Sequence, residues 1–448
     1  MEYYVLVNEG IEEICREEIR KFIGVQAKVI KSKKITSGVT SNTTSSLVEF
    51  EIRSKLNSKL NSKLNSKLNS KLNSNPLEND SLLNFIRFSQ SAGRICLLLR
   101  KADAESLGKF DKEKFTAEES FDFENSLDNS LDNSLENNRM NLSRLFSGKS
   151  FKVDVENVKG QENRLEIARK VAGQIFKCLE NELAHSKNNN KNNNSRDNNL
   201  KNSITTIELK KPDILVNVFF NGEYYYVGMD VCGVELQARA YRLFPHQASF
   251  KGDLAYFFVR KSMFKPENKL LVGFVKDGAI AIEAAIWANN LPVRNSLEER
   301  EKGGRTEEKK EIEKEACGKN YEKNDRINAQ KIYAFDESRQ NVIAARKNCQ
   351  LAGVKNLLEI INCSLDELDV KFSEQEFDNA IFHVTSKDED KLNEIYYQAH
   401  YLLKRKGTLL LIGRPGWEVT ISEKFKLLQE GEVRRGESVH KYWLLEKK

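Results

Sequence analysis

Residues 269–287 read KLLVGFVKDGAIAIEAAIW, and residues 331–354 read KIYAFDESRQNVIAARKNCQLAGV. The first stretch is a buried-type strand, a short turn with one glycine, and a helix. The second is a strand ending in an acid, Asp336, followed by another helix. Strand–turn–helix and then strand–acid is how an open α/β sheet holds a nucleoside cofactor: the turn offers backbone N–H groups and the acid accepts from ribose hydroxyls. One feature departs from that scheme. The turn carries Lys276, Asp277 and a single Gly278, where close approach of backbone to a ligand favours more glycine.

Outward from this pair, residues 237–448 alternate strand and helix. Strands are expected at 269–274, 331–335, 357–361, 379–384 and 407–413, with a terminal hairpin at 430–434 and 440–446. Helices are expected at 251–263, 278–289, 338–352 and 389–404. Regular alternation predicts a parallel, doubly wound sheet with a late antiparallel strand. Residues 80–236 mix helices and strands in an α+β pattern. There Leu165 to Leu179 reads as a helix, and Asn221–Gly222 marks a hairpin between Asp213–Phe220 and Glu223–Asp230. Residues 1–53 read as a smaller α+β unit: strand Tyr3–Val7, then Ile11, Ile14, Cys15, Ile19 and Phe22 at helical spacing.

Between these blocks lie low-complexity segments. SKLN repeats five times from Ser54 to Ser74, within a linking stretch 54–79; NSLD repeats from Asn125 to Asn137; Ser186 to Asn202 is mostly Asn and Lys; Ser296 to Asn328 is nearly all charge. Such segments bury too little apolar surface to offset their ordering entropy, and read as inserted surface loops.

Composition narrows the function classes. The 448 residues are 39% apolar and 31% charged, and the net charge of +6 permits nucleic-acid binding without pointing to it. The seven cysteines, Cys15, Cys96, Cys178, Cys232, Cys317, Cys349 and Cys363, form no C-x-x-C pair. Neither zinc nor a disulfide framework is suggested, and a reducing cytoplasm fits best. No apolar run reaches the length of a membrane span, so no membrane is expected as a partner. A nicotinamide dehydrogenase is disfavoured because no G-x-G-x-x-G follows the first strand of the alternating block.

The chain resembles the RNA methyltransferases that pair an RNA-binding THUMP domain with a Rossmann-like, S-adenosylmethionine-dependent domain, above all those methylating guanine N2 of tRNA or ribosomal RNA. The resemblance rests on FKVDVENVKGQENRLEIARKVAGQIF (151–176), KPDILVNVFFNGEYYYVGMDVCGVELQARAYR (211–242) and HQASFKGDLAYFFV (246–259). The N-terminal YYVLVNEGIEEICREEIRKF (3–22) is similar to the ferredoxin-like unit preceding THUMP. It implies a ferredoxin-like unit at 1–53, a THUMP domain at 80–236, and a methyltransferase domain at 237–448 interrupted by the charged insertion 296–328.

The resemblance also implies roles. The family turn Asp-Pro-Phe-Cys-Gly-Ser-Gly-Thr falls on Val272 to Ala279, where Phe274 and Gly278 are retained and Lys276 replaces a glycine. These two, with Asp336 as ribose acid and Glu337 beside it, are the implied cofactor residues. Asp336 read alone is equally a helix N-cap, and Lys276 has a second reading, as partner of the methionine carboxylate. The family acid near adenine falls on Ser364. The amine-binding motif, Asn or Asp, Pro-Pro, then Tyr or Phe, falls on His383, Val384, Thr385 and Ser386. In the family, that side chain and a backbone carbonyl accept from the amine, and the aromatic stacks on the flipped base. His383 is thus the implied catalytic residue, and a structural histidine is its plain alternative. Lys152, Arg164, Arg169, Arg239 and Arg242 are the implied phosphate contacts, against the plainer reading of solvated surface. No metal site is implied.

Two functions follow. One is an RNA-binding pseudoenzyme, a degenerate relative that binds tRNA, alone or beside a partner methyltransferase. The other is an active S-adenosylmethionine-dependent tRNA or ribosomal RNA methyltransferase.

Overall fold

The computed structural model describes residues 1–31, 45–52, 80–103, 145–146, 148–189, 205–233, 235–293, 330–385, 388–417, 419–435 and 438–448. The SKLN and NSLD repeats, the asparagine-rich run beyond residue 189, the charged insertion and Ser386 lie outside them. The chain forms two compact units that are not consecutive blocks. One comprises Met1–Val5, Ile30–Leu56 and Ile95–Gly233; the other comprises Leu6–Val29, Asn57–Arg94 and Val234–Lys448.

An eight-stranded sheet, most of it in the first unit, is built from β1 (Glu2–Asn8), β2 (Ala27–Ile30), β3 (Ser45–Glu51), β4 (Arg94–Asp103), β5 (Ser150–Glu156), β6 (Thr206–Ile207), β7 (Ile214–Phe220) and β8 (Tyr224–Asp230). Its order is β2-β3-β1-β4-β8-β7-β5-β6. The expected hairpin is present: Asn221 Oδ1 accepts from the N–H groups of Glu223 and Tyr224, and Gly222 takes φ +93°. The expected helix spans Gln161–Asn189. Its Ile167, Val171, Ile175 and Leu179 recur every fourth residue and bury against Phe151, Val216 and Val218.

The helices run in chain order α1 (Glu12–Phe22), α2 (Asp80–Phe88), α3 (Gln161–Asn189), α4 (Gly252–Lys261), α5 (Ala279–Ala288), α6 (Arg339–Leu351), α7 (Leu368–Lys371) and α8 (Glu389–Leu402). All but α3 belong to the second unit. That unit holds a seven-stranded sheet of β9 (Leu270–Gly273), β10 (Ile332–Asp336), β11 (Leu358–Asn362), β12 (Phe377–His383), β13 (Leu403–Gly413), β14 (Phe425–Arg435) and β15 (Ser438–Lys447). The order is β11-β10-β9-β12-β13-β15-β14. β9 to β13 run parallel, and β15 pairs antiparallel with both β13 and β14. This is the doubly wound α/β architecture expected from the alternation. The order reverses direction between β9 and β12, and a crevice opens there at the carboxyl ends.

Two features fix the loop beside that crevice. Helix α5 is apolar on all sides and buried along nearly its whole length, so Glu283 within it needs partners. Arg239 supplies a two-pronged ion pair (2.7 and 3.2 Å), Tyr241 Oη donates at 2.8 Å and Gln90 Nε2 donates at 2.6 Å. Arg239 also donates to the carbonyls of Leu236 and Gln90. A Cβ at position 252 would overlap this guanidinium, so Gly252 opens α4 where it must pass. Removing one member of such a buried pair leaves uncompensated charge. Glu283→Ala is expected to lower unfolding free energy by about 3–5 kcal/mol, and the apolar pair Arg239→Met with Glu283→Leu to recover most of it. Urea unfolding checks both, and a single substitution within error of wild type would contradict the assignment.

Candidate cofactor cleft

The loop from Phe274 to Gly278 leaves β9 in an unusual conformation. Phe274 (φ +55°), Lys276 (φ +54°) and Gly278 (φ +90°) are all left-handed. For a side chain with Cβ this costs roughly 1–2 kcal/mol per residue. The strain is held by Val275 N–H to the Phe335 carbonyl (3.0 Å), Gly278 N–H to the Val275 carbonyl (2.8 Å) and Lys276 N–H to Asp336 Oδ2 (2.9 Å). Gly278 also lets the loop approach α6, since a Cβ there would lie 3.2 Å from that of Ala345. Asp277 points the other way. Its carboxylate binds Arg242 (2.8 Å), the hydroxyl of Ser249 and the N–H of His246, and its carbonyl accepts from Asn348.

Asp336 ends β10 as expected and is buried. Besides the Lys276 N–H, it accepts from Ser338 N–H (2.9 Å) and Asn341 Nδ2 (3.0 Å). It is therefore part of the α6 start, although Ser338 is the N-cap itself. Glu337 pairs with Lys391 at 3.1 Å, and Lys391 lies over the Phe274 ring. Phe274 packs on Phe335 and Phe382.

His383 ends β12. Its ring is buried and stacks on Phe250 at 4.2 Å; Phe250 in turn meets His440 edge-on. Lys276 Nζ lies 2.6 Å from His383 Nδ1 and 3.5 Å from the His383 carbonyl oxygen. Only 7% of Lys276 is exposed. Burial pulls its amine down to about 7, against the opposing pull of Asp336 and Asp277. Burial, then the nearby Lys276 charge, holds His383 well below the usual histidine range, so its ring is neutral. With the amine as donor, Nδ1 is the unprotonated ring nitrogen.

These groups line a cleft of about 280 Å³, bounded by His246, Phe274, Lys276, Asp336, Asn341 and His383 among others. Sites for ligands of cofactor size run from about 300 to 1,000 Å³. The acid at the strand tip suits a nucleoside, but the lysine side chain takes up the space beside it.

The implied RNA contacts divide between the units. Lys152 is half-buried on β5, while Arg164 and Arg169 are exposed on α3. Arg239 requires correction: its side chain is 1% exposed and bound to Glu283 and two carbonyls, so it is buried away from a phosphate at the surface. Arg242 is 18% exposed and bound to Asp277. Ser364 caps a short turn with Glu367. Asn341, Phe250 and His440 were missed. Asn341 was legible as one helical turn past a strand-terminal acid; the other two reach the cleft only through folding. Among the described residues, no cluster of His, Cys, Asp or Glu is placed to hold a metal ion, and no helix is long and apolar enough to cross a membrane.

The chain is similar to several known methyltransferases. Residues 239–384 match the family model described as UPF0020, the RMKL-like methyltransferase domain. A tRNA (guanine(6)-N2)-methyltransferase of Methanocaldococcus jannaschii is 29% identical over 185 residues, 39% of this chain and 46% of that enzyme. The match thus spans about half the length of that curated relative. TrmN from Thermus thermophilus superposes with a TM-score of 0.57 at 16% identity, covering 100% of this chain and 99% of that one. SMU.472, solved with SAH, gives 0.58 at 15% identity, covering 99% and 97%. Residues 239–384 are thus similar to an RMKL-like methyltransferase domain, and part of the chain is homologous to a tRNA guanine-N2 methyltransferase.

The Lys276 shift fixes a pH dependence. The unfolded lysine titrates near 10.4, while the folded one titrates near 7. Between those values the unfolded chain holds the extra proton, so this group's contribution favours folding increasingly as pH rises and is lost as pH falls. The difference in urea midpoint between wild type and Lys276→Met is expected to move in favour of wild type from pH 7 to 10. A difference independent of pH would show that the amine is not shielded.

Proposed function

We propose that the protein binds tRNA and is impaired in methyl transfer, a relative of the S-adenosylmethionine-dependent tRNA guanine-N2 methyltransferases whose acceptor seat is filled from within. The contact between Lys276 and His383 carries this reading. In the resembling enzymes, the side chain at the position of His383 and a nearby backbone carbonyl accept hydrogen bonds from the substrate amine. Here the lysine amine lies 2.6 Å from the ring nitrogen and 3.5 Å from the carbonyl oxygen of that residue. It takes the place of an exocyclic guanine amine. Val384 and Thr385 supply neither the rigid turn nor the aromatic stack.

RNA binding is assigned to the THUMP-like segment, through Lys152, Arg164 and Arg169. Arg242 contributes positive charge from the second unit. A partner methyltransferase would supply the chemistry this chain lacks.

A second reading keeps the enzyme active, with Phe274, Gly278, Asp336 and Glu337 around S-adenosylmethionine. The homology to the Methanocaldococcus enzyme favours it. In that reading Lys276 turns toward the methionine carboxylate and frees His383.

Incubation with methyl-labelled S-adenosylmethionine and transcribed tRNA separates the two. No incorporation above the protein-free blank is expected. Labelling that Asp336→Ala abolishes would establish the active enzyme instead. For RNA binding, changing Lys152, Arg164 and Arg169 together to Gln is expected to flatten the log–log salt dependence by about 0.7–0.9 for each phosphate-bound cation replaced. Gel shifts at several salt concentrations check this, and an unchanged slope would remove these side chains from the interface.

A further inference from the structure

We infer that Lys276 is a nucleophilic amine and that the cleft it lines is a covalent binding site for a small anionic aldehyde. This goes beyond the reading above and is tested apart from it, since neither methyl donor nor RNA enters the experiment.

Lysines act as Schiff-base nucleophiles when desolvated or set beside another cation. Lys276 meets both conditions: it is 7% exposed, and Arg414 adds positive potential at both Lys276 and His383. Among the described residues no carboxylate forms an ion pair with its amine. Asp336 takes the backbone N–H of Lys276 instead, and Glu337 is paired with Lys391. The two acids of the cleft are therefore engaged, and with Lys276 neutral the positive charge offered to an anionic ligand is that of Arg414. The amine, pulled down to about 7, is about half neutral at pH 7. A cleft of about 280 Å³ is tight for an extended nucleoside cofactor and suited to a single-ring molecule.

The step balances without an oxidant or reductant. The lone pair of Nζ forms a bond to the carbonyl carbon while the C=O π pair moves to oxygen. His383 Nδ1, 2.6 Å away, takes a proton from the nitrogen and returns one to the oxygen. The carbinolamine then loses its hydroxyl as water, leaving the imine. One amine and one aldehyde give one imine and one water.

The test uses the full chain, near-equimolar pyridoxal 5′-phosphate as probe at pH 7.5, borohydride reduction and peptide mass mapping. Lys276 is expected to be labelled first. With exposed lysines titrating near 10.4, its larger neutral fraction at pH 7.5 corresponds to an advantage of roughly 600-fold. Lys276→Arg should lose the visible imine band while keeping the wild-type circular dichroism spectrum. The wild-type peptide map decides by itself should that variant misfold. Label spread over surface lysines with Lys276 unmodified, or equal imine absorbance from a folded Lys276→Arg protein, would overturn the proposal.

Discussion

A lysine amine and an imidazole nitrogen meet at 2.6 Å at the carboxyl end of a parallel sheet, and both are shielded from water. Neither group can carry its charge there cheaply. The imidazole stays neutral, and the amine gives up much of its affinity for protons. The proposed acceptor role of His383 and the proposed nucleophilic character of Lys276 both depend on that contact. The sheet creates the meeting place. β9 and β12 are neighbours whose connections leave on opposite sides, so the loop after one faces the strand end of the other.

The contact depends on a backbone that a lysine does not favour. Position 276 is left-handed although it carries a side chain, and the surrounding fold enforces it. Asp336 holds the loop by its backbone N–H, while Asp277 ties it to Arg242, Ser249 and His246. Behind that loop, α5 is anchored by Glu283 and its four-residue network. Strain at a ligand-facing turn persists where the surrounding structure over-determines it.

Much of this was legible in the sequence. The strand–helix alternation of 237–448 pointed to the parallel sheet, because buried strands such as LLVG and helices apolar but for one residue, such as AIAIEAAIWA, have few other solutions. Asn221–Gly222 marked its hairpin through turn geometry alone. The low glycine content around Lys276 marked where the cleft would differ. Charge was harder to read. Arg239 and Arg242 looked like phosphate contacts on a linker, yet the carboxylates that claim them lie some 40 residues further on, inside an apolar helix and its preceding turn. Spacing gives no sign of such pairs. The N-terminal helix α1 also packs in the second unit, a long-range placement that local periodicity does not encode. The stacking of Phe250 on His383 belongs to the same class.

Whether Lys276 closes the cleft is the central question, and calorimetric titration with S-adenosylhomocysteine addresses it most directly. Wild type and Lys276→Gly would be titrated side by side. Glycine removes the side chain and suits the left-handed backbone. Heat from the glycine variant alone is the result this account predicts. Equally tight binding by both proteins would contradict it.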